Sequence, residues 1–149
     1  MFLIIGFITA AFMEYMLHRY YLHQSTHSHI THHHKIFKEN YEDPKQKITD
    51  IISNPGYIFA SSSLSLVVMI SFMAMNQQTA YWIYIWAVLY LLWLEGVHYL
   101  FHSPKKLWIE KTALFQSLKH HHHLHHIHFK VNYGIGSTFF DYILRTKLK

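Results

Sequence analysis

The sequence predicts an all-α integral membrane bundle, with about three transmembrane helices beneath a cytosolic histidine-rich helical cap. Three observations carry this. Charged residues are 14% of the chain and hydrophobic ones 51%, against about 25% charged in an ordinary globular chain, so the chain cannot cover itself with charge. Three apolar runs reach or approach the roughly 17–20 residues that cross a bilayer as helix. Finally, the 16 histidines and the 13 Lys and Arg are all confined to two segments. One domain, residues 1–149, is the expected organisation.

The first run, Met1 to Leu17 (MFLIIGFITAAFMEYML), is short and carries Glu14 near its end. It lacks the basic n-region of a signal peptide, and histidines follow at once. Lys35 to Ser53 is polar, contains Asp43-Pro44, and reads as a cytoplasmic connector, in part helical. Asn54-Pro55-Gly56 then starts the second run, Tyr57 to Met75, whose 19 residues hold no charge, which disfavours the core helix of a soluble protein. After the short connection Asn76-Gln77-Gln78, the third run, Thr79 to Leu94, continues as helix towards His102. Its Trp and Tyr residues suit a membrane interface or a packed bundle.

Lys and Arg lie between Arg19 and Lys47 or between Lys105 and Lys149, and the histidines between His18 and His34 or between His98 and His128. The positive-inside rule puts both basic segments in the cytoplasm, with the amino terminus and the Asn76 connection outside. Three crossings then bring every histidine to one face. The expected location is an integral membrane protein with its metal site on the cytoplasmic face: the endoplasmic reticulum in a eukaryote, the inner membrane in a bacterium. No nucleic-acid motif accompanies the net charge of +5, and the apolar runs make the membrane the expected partner.

There is no cysteine, so disulfides and thiolate metal sites are excluded. The run KHHHHLHHIH, Lys119 to His128, is internal and interrupted, unlike a purification tag. By spacing the histidines form four groups: His18 and His23 (HxxxxH), His29, His32 and His33 (HxxHH), His98 and His102 (HxxxH), and His122, His125 and His126 (HxxHH). On an α-helix, residues three and four apart share a face. Ten imidazoles exceed the roughly four ligands of one zinc ion and suit two metal ions with open positions. Imidazole serves iron, zinc, copper and nickel alike, so ligand type does not choose among them.

These boxes resemble those of the integral-membrane fatty acid hydroxylase and sterol desaturase superfamily. "HRYYLH", "HITHH", "EGVHYLFH" and "SLKHHHHLHHIH" are similar to its histidine boxes, closest to the fatty acid 2-hydroxylase branch, and "NYGIGSTFFDYILRT" is similar to its closing segment. The resemblance runs from His18 to Thr146, with Arg145-Thr146 where Gly-Thr is usual. It implies two metal ions, iron first and zinc as an isolation substitute, and an oxygenase that hydroxylates an unactivated C–H bond of a lipid acyl chain. Glu95, Asn132 and Asp141 are the groups expected to orient imidazoles, Glu95 and Asp141 as the catalytic carboxylates. His27, His34, His120, His121, His123 and His128 are read as surplus, with His121 the first candidate for an extra contact. The sequence holds no cytochrome b5 domain, so electrons are expected from a separate cytochrome b5-like or ferredoxin-like protein. A carotenoid ring hydroxylase with related boxes is the nearest alternative. A metal transporter is a more distant one, because it needs ligands near mid-membrane and the apolar runs offer few.

Overall fold

The protein's structure, a computed structural model, describes residues 2–24, 29–39, 41–42, 70, 73–74, 76–104 and 107–148. The described residues are helical with no strand: α1 (Phe2–Leu17), a π-helix (His18–Leu22), a second π-helix (His29–His34), α2 (Lys35–Glu39), α3 (Gln77–His102), a 3₁₀ turn (Trp108–Lys111), α4 (Ala113–Ile127) and α5 (Phe139–Ile143). The expected second crossing, apart from residues 70 and 73–74, lies outside the described residues. So do most of the connector and His27.

Helix α3 is the one described helix long and apolar enough to cross a membrane, and only 33% of its most apolar stretch is buried. It begins where the Asn76 side chain accepts the Thr79 N–H at 3.1 Å, filling one of the orphan donors of a helix start. It has no interior proline and ends at Ser103. The third expected run is thus part of a single helix that continues to His102.

Helices α1 and α3 pack through small residues. Ala10, Ala11, Ala80 and Ala87 are buried between them with Ile83, Tyr90 and Leu94. A Cβ on Gly6 would stand 2.7 Å from Trp86 Cβ and 2.8 Å from the Ile83 carbonyl oxygen, so only glycine lets the backbones approach this closely. Small residues spaced four apart, here Gly6 and Ala10, are a usual means of close helix contact in lipid. The outer faces are apolar too. Leu3, Ile4, Phe7, Ile8 and Phe12 on α1 are exposed, as are Tyr81, Trp82, Leu89 and Leu92 on α3. Such continuous exposed apolar surface suits hydrocarbon rather than water.

The remaining helices cap the histidine-bearing ends of this pair. Thr112 caps α4 by accepting the Phe115 N–H at 3.3 Å. The α4 helix buries Phe115 against Phe101 of α3, ring centroids 5.1 Å apart, and adds Leu118 to the same core as Leu94 and Val97. Residues 128–138 return the chain to α1, where Phe140 of α5 meets Phe12 and Tyr15. The cap therefore sits on the last turns of α1 and α3, which is where the histidines begin.

Candidate metal centre

Nine histidines converge as two buried clusters. His18, His23, His29, His34 and His125 form the first; His33, His98, His102 and His122 form the second. Within each, one nitrogen per residue lies within 4.8 Å of all the others. His126 stands between them, its ring centroid 4.5 Å from His34, 4.9 Å from His33 and 4.9 Å from His102.

Helix type decides which histidines meet. A π-helix closes i→i+5 hydrogen bonds, so residues four and five apart share a face and those three apart do not. After α1 the chain winds as π-helix from His18 to Leu22, which turns His18 and His23 towards one point. The second π segment buries His29, His33 and His34 and leaves His32 exposed. An α-helical reading of this box pairs His29 with His32. The wider winding rotates His32 outward and brings His34, read from sequence as surplus, into the first cluster. In α3 the spacing is α-helical, and His98 and His102 share one face over the second cluster. Helix α4 divides its histidines: His122 joins the second cluster and His125 the first.

Backbone carbonyls set the tautomers of three ligand candidates. The Nδ1–H of His18 donates to Tyr133 O at 2.5 Å, that of His125 to Val131 O at 2.6 Å, and that of His102 to Tyr41 O at 2.9 Å. A neutral imidazole with its proton on Nδ1 offers a bare Nε2, and each of these Nε2 atoms faces another histidine. The Nε2 of His122 lies 3.1 Å from that of His102 and 3.1 Å from that of His126. His102 Nε2 carries no proton, so His122 must donate to it and then cannot accept from His126. One N–H cannot point at both contacts in line, whereas a cation held among the three nitrogens would satisfy both. Both nitrogens of His34 and the Nε2 of His98 are buried with no hydrogen-bond partner among the described residues. An unsatisfied buried polar atom costs about 1–3 kcal/mol, and a metal ion supplies the missing partner. The donor set therefore fits two imidazole-bound metal ions.

Burial also keeps these rings neutral, the form a metal requires. Desolvation pushes His18, His29, His34, His122 and His126 well below the ordinary histidine value, reinforced by neighbouring histidines. His23 is lowered to about 3 and His125 to about 4, again chiefly by burial.

The polar groups around the clusters act through the backbone. Asp141 is buried and accepts Tyr133 N–H at 2.8 Å and Thr146 Oγ1–H at 2.7 Å on one oxygen. Its other oxygen takes Gly134 N–H at 2.7 Å and His121 Nε2 at 3.0 Å. Burial alone would raise its carboxyl, but the hydrogen bonds from His121, Thr146 and Gly134 hold it below the usual carboxylate value. His121 thus turns to Asp141 and belongs to neither cluster. Asn132, at φ 56°, donates to His121 O at 3.1 Å and accepts Leu148 N–H at 2.7 Å. Glu95 is partly buried on α3 and, among the described residues, hydrogen-bonds no histidine. His120 and His128 are exposed and His123 is partly buried. Sequence reasoning passed over Glu14, which is buried between α1, α3 and residues 135–136. An ionisable residue inside an apolar run was the available signal.

Beside the cap lies a cavity of about 570 Å³ lined by Leu3, Phe7, Trp86, Tyr90, Trp93 and Leu118 among others. Leu118 is four residues, about one helical turn, before His122, so the inner wall stops about 6 Å of helix rise short of a second-cluster nitrogen bearer. Its other walls come from α1, α3, the first turns of α4 and residues 136–138.

The profile of the fatty acid hydroxylase family matches residues 3–146. No curated protein and no solved structure matches the chain. The matched span runs from the first turn of α1 through all nine clustered histidines to the Thr146 that hydrogen-bonds Asp141, and the chain belongs to the fatty acid hydroxylase family.

Proposed function

We propose that this chain is a membrane-embedded dimetal oxygenase that hydroxylates an unactivated C–H bond of a lipid acyl chain, using O2 and electrons from a separate protein. The observation that carries it is two adjacent clusters of mostly buried imidazoles beside an apolar cavity lined by α1, α3, α4 and residues 136–138. Bound iron would supply the oxygen activation and hydrogen-atom removal that acid–base side chains cannot perform. One oxygen atom enters the C–H bond as hydroxyl, and the other leaves as water with two electrons and two protons.

The chain's own groups do the rest. His18, His23, His29, His34 and His125 would hold one ion, and His33, His98, His102 and His122 the other, with His126 available to either. The carbonyls of Val131, Tyr133 and Tyr41 keep the protons of His125, His18 and His102 on Nδ1, which leaves their Nε2 atoms free to bind metal. Trp86, Trp93 and Leu118 present an apolar surface to the acyl chain and keep water from its path. Confinement of all histidines and all Lys and Arg to two segments supports three crossings with the site at the cytoplasmic face. Cysteines at Lys106 and Gln77 should then react with an impermeant reagent from opposite sides of sealed vesicles; reaction of both from one side sinks that topology.

The activity is tested on chain purified without a tag, in membranes supplied with O2 and a reductase system. The expected result is two ions per chain and hydroxylated acyl lipid, with His98→Ala abolishing product. Product from a carotenoid and not from acyl lipid moves the substrate to the ring-hydroxylase class. A single ion held by Lys119 to His128 alone, or full turnover in His98→Ala, rejects the dimetal reading.

A further inference from the structure

Residues 131–136 hold the tautomers of the first cluster and are themselves held by two carboxylates. Carbonyls Val131 and Tyr133 accept from His125 and His18, and the N–H groups of Tyr133 and Gly134 go to Asp141. The next two N–H groups, of Ile135 and Gly136, donate to one oxygen of Glu14. The other Glu14 oxygen accepts the Tyr90 hydroxyl proton, and Trp93 Nε1–H donates to Gly136 O at 3.2 Å. Glu14 is 1% exposed and sits on α1, four residues before His18. Among the described residues it hydrogen-bonds no histidine, yet it grips the strip two residues beyond the carbonyl that orients His18.

We propose that Glu14 is a positioning residue for the metal centre. From α1 it anchors Ile135 and Gly136, fixing the Tyr133 carbonyl that keeps the His18 proton on Nδ1 and its Nε2 towards the first cluster. This rests on the dimetal reading above. The chemistry calls for a carboxylate: one oxygen must take two N–H groups while the other takes a hydroxyl. A glutamine offers one neutral oxygen and turns an NH2 towards Tyr90. Because Tyr90 and Gly136 both line the apolar cavity, the same carboxylate ties the cavity wall to the ligand loop. The clamp is one-sided among the described residues, since His102, the second-cluster histidine with a carbonyl-fixed tautomer, is held by Tyr41 O and not by residues 131–136.

Cobalt(II) binding to the full-length chain in detergent tests this, with the visible absorption band reporting coordination geometry. His98→Ala confines the reading to the first cluster, and His34→Ala confines it to the second. Adding Glu14→Gln is expected to weaken cobalt binding about 10-fold and shift the band in the His98→Ala background, at the lower end of the range for outer partners of metal ligands. In the His34→Ala background it is expected to change neither. If Glu14→Gln does not fold, Glu14→Asp, which shortens the reach by one methylene, is read by the same two outcomes. Equal weakening in both backgrounds, or no change in either, overturns the positioning role while leaving the dimetal reading intact. A parent chain that binds no cobalt overturns the dimetal reading and this proposal with it.

Discussion

Alanine at His34 is expected to release one of two ions and cut lipid hydroxylation by more than about 100-fold, beyond what loss of an outer partner of a ligand costs. Alanine at His32 is expected to leave both ions and most turnover. The two residues differ by two positions and by everything in their surroundings. The His34 ring lies 4.9 Å from that of His23 and 4.8 Å from those of His29 and His125, with both nitrogens buried and, among the described residues, without a hydrogen-bond partner. His32 is exposed and joins neither cluster. Metal per chain and product formed, at equal amounts of protein, measure both effects. The reverse pattern would mean that residues 29–34 wind as an α-helix when the site works, and it would reject the π-helical placement of the first cluster.

Acidification is expected to empty the site and then unfold the metal-free chain, with stability falling steadily below about pH 6.5. The sign follows from the direction of the shifts. In the unfolded chain a histidine titrates near about 6.5, while in the folded chain His23 titrates at about 3 and His125 at about 4. Above the unfolded value both states are neutral, and the full stability is present. Below it the unfolded chain takes up protons that the folded chain refuses, so each such histidine removes up to about 1.4 kcal/mol of stability per pH unit. The loss from His125 levels off near pH 4 and that from His23 near pH 3. At pH 5.5 these two together remove roughly 2–3 kcal/mol, a large part of the roughly 5–15 kcal/mol that holds a domain together. His18, His29, His34, His122 and His126 are lowered as well and steepen the fall. Protons also compete with metal for the same nitrogens, so ion release is expected in the same window. Asp141, shifted downward, gives up its contribution only at lower pH, below the ordinary carboxylate range. Melting temperature of the metal-free chain from pH 7.5 to 5 checks the claim; a flat profile would mean that the histidines are not buried as neutral groups.

What was legible in the sequence follows from which helix type each segment adopts. The apolar runs at Met1 to Leu17 and Thr79 to Leu94 mark helices α1 and α3, and His98 and His102 read as a shared face because α3 keeps α-helical winding. The box at residues 29–34 was not legible in the same way. Its three clustered members, His29, His33 and His34, are spaced for a π-helix, and nothing in the residue types announces the change of winding. His121 shows another limit: within an unbroken histidine run, spacing cannot tell a metal-facing ring from one turned to Asp141. Glu95 sits one turn from His98 in sequence, yet the group that grips the ligand loop is Glu14, more than a hundred residues before that loop. A carboxylate bound to backbone N–H groups leaves no pairing pattern to read. The family likeness rested on the boxes taken together, and the profile match over residues 3–146 agrees with it.

The carbonyls of Tyr41, Val131 and Tyr133 that orient His102, His125 and His18 belong to the main chain, which every amino acid supplies. Substituting the Val131 side chain need not disturb the His125 imidazole, so a site-by-site mutational scan would score that position as tolerant while it performs an orienting task, whereas the Tyr41 and Tyr133 rings also pack on His102 and His23. The intolerance reappears where backbone shape is controlled. At Gly134 an added Cβ would run into the Ser137 carbonyl oxygen and stand 2.8 Å from Asp141 Oδ2. At Asn132 the chain takes a positive φ. Heritable information about the metal centre is therefore stored partly away from the atoms that touch it, in a glycine, an asparagine and two distant carboxylates.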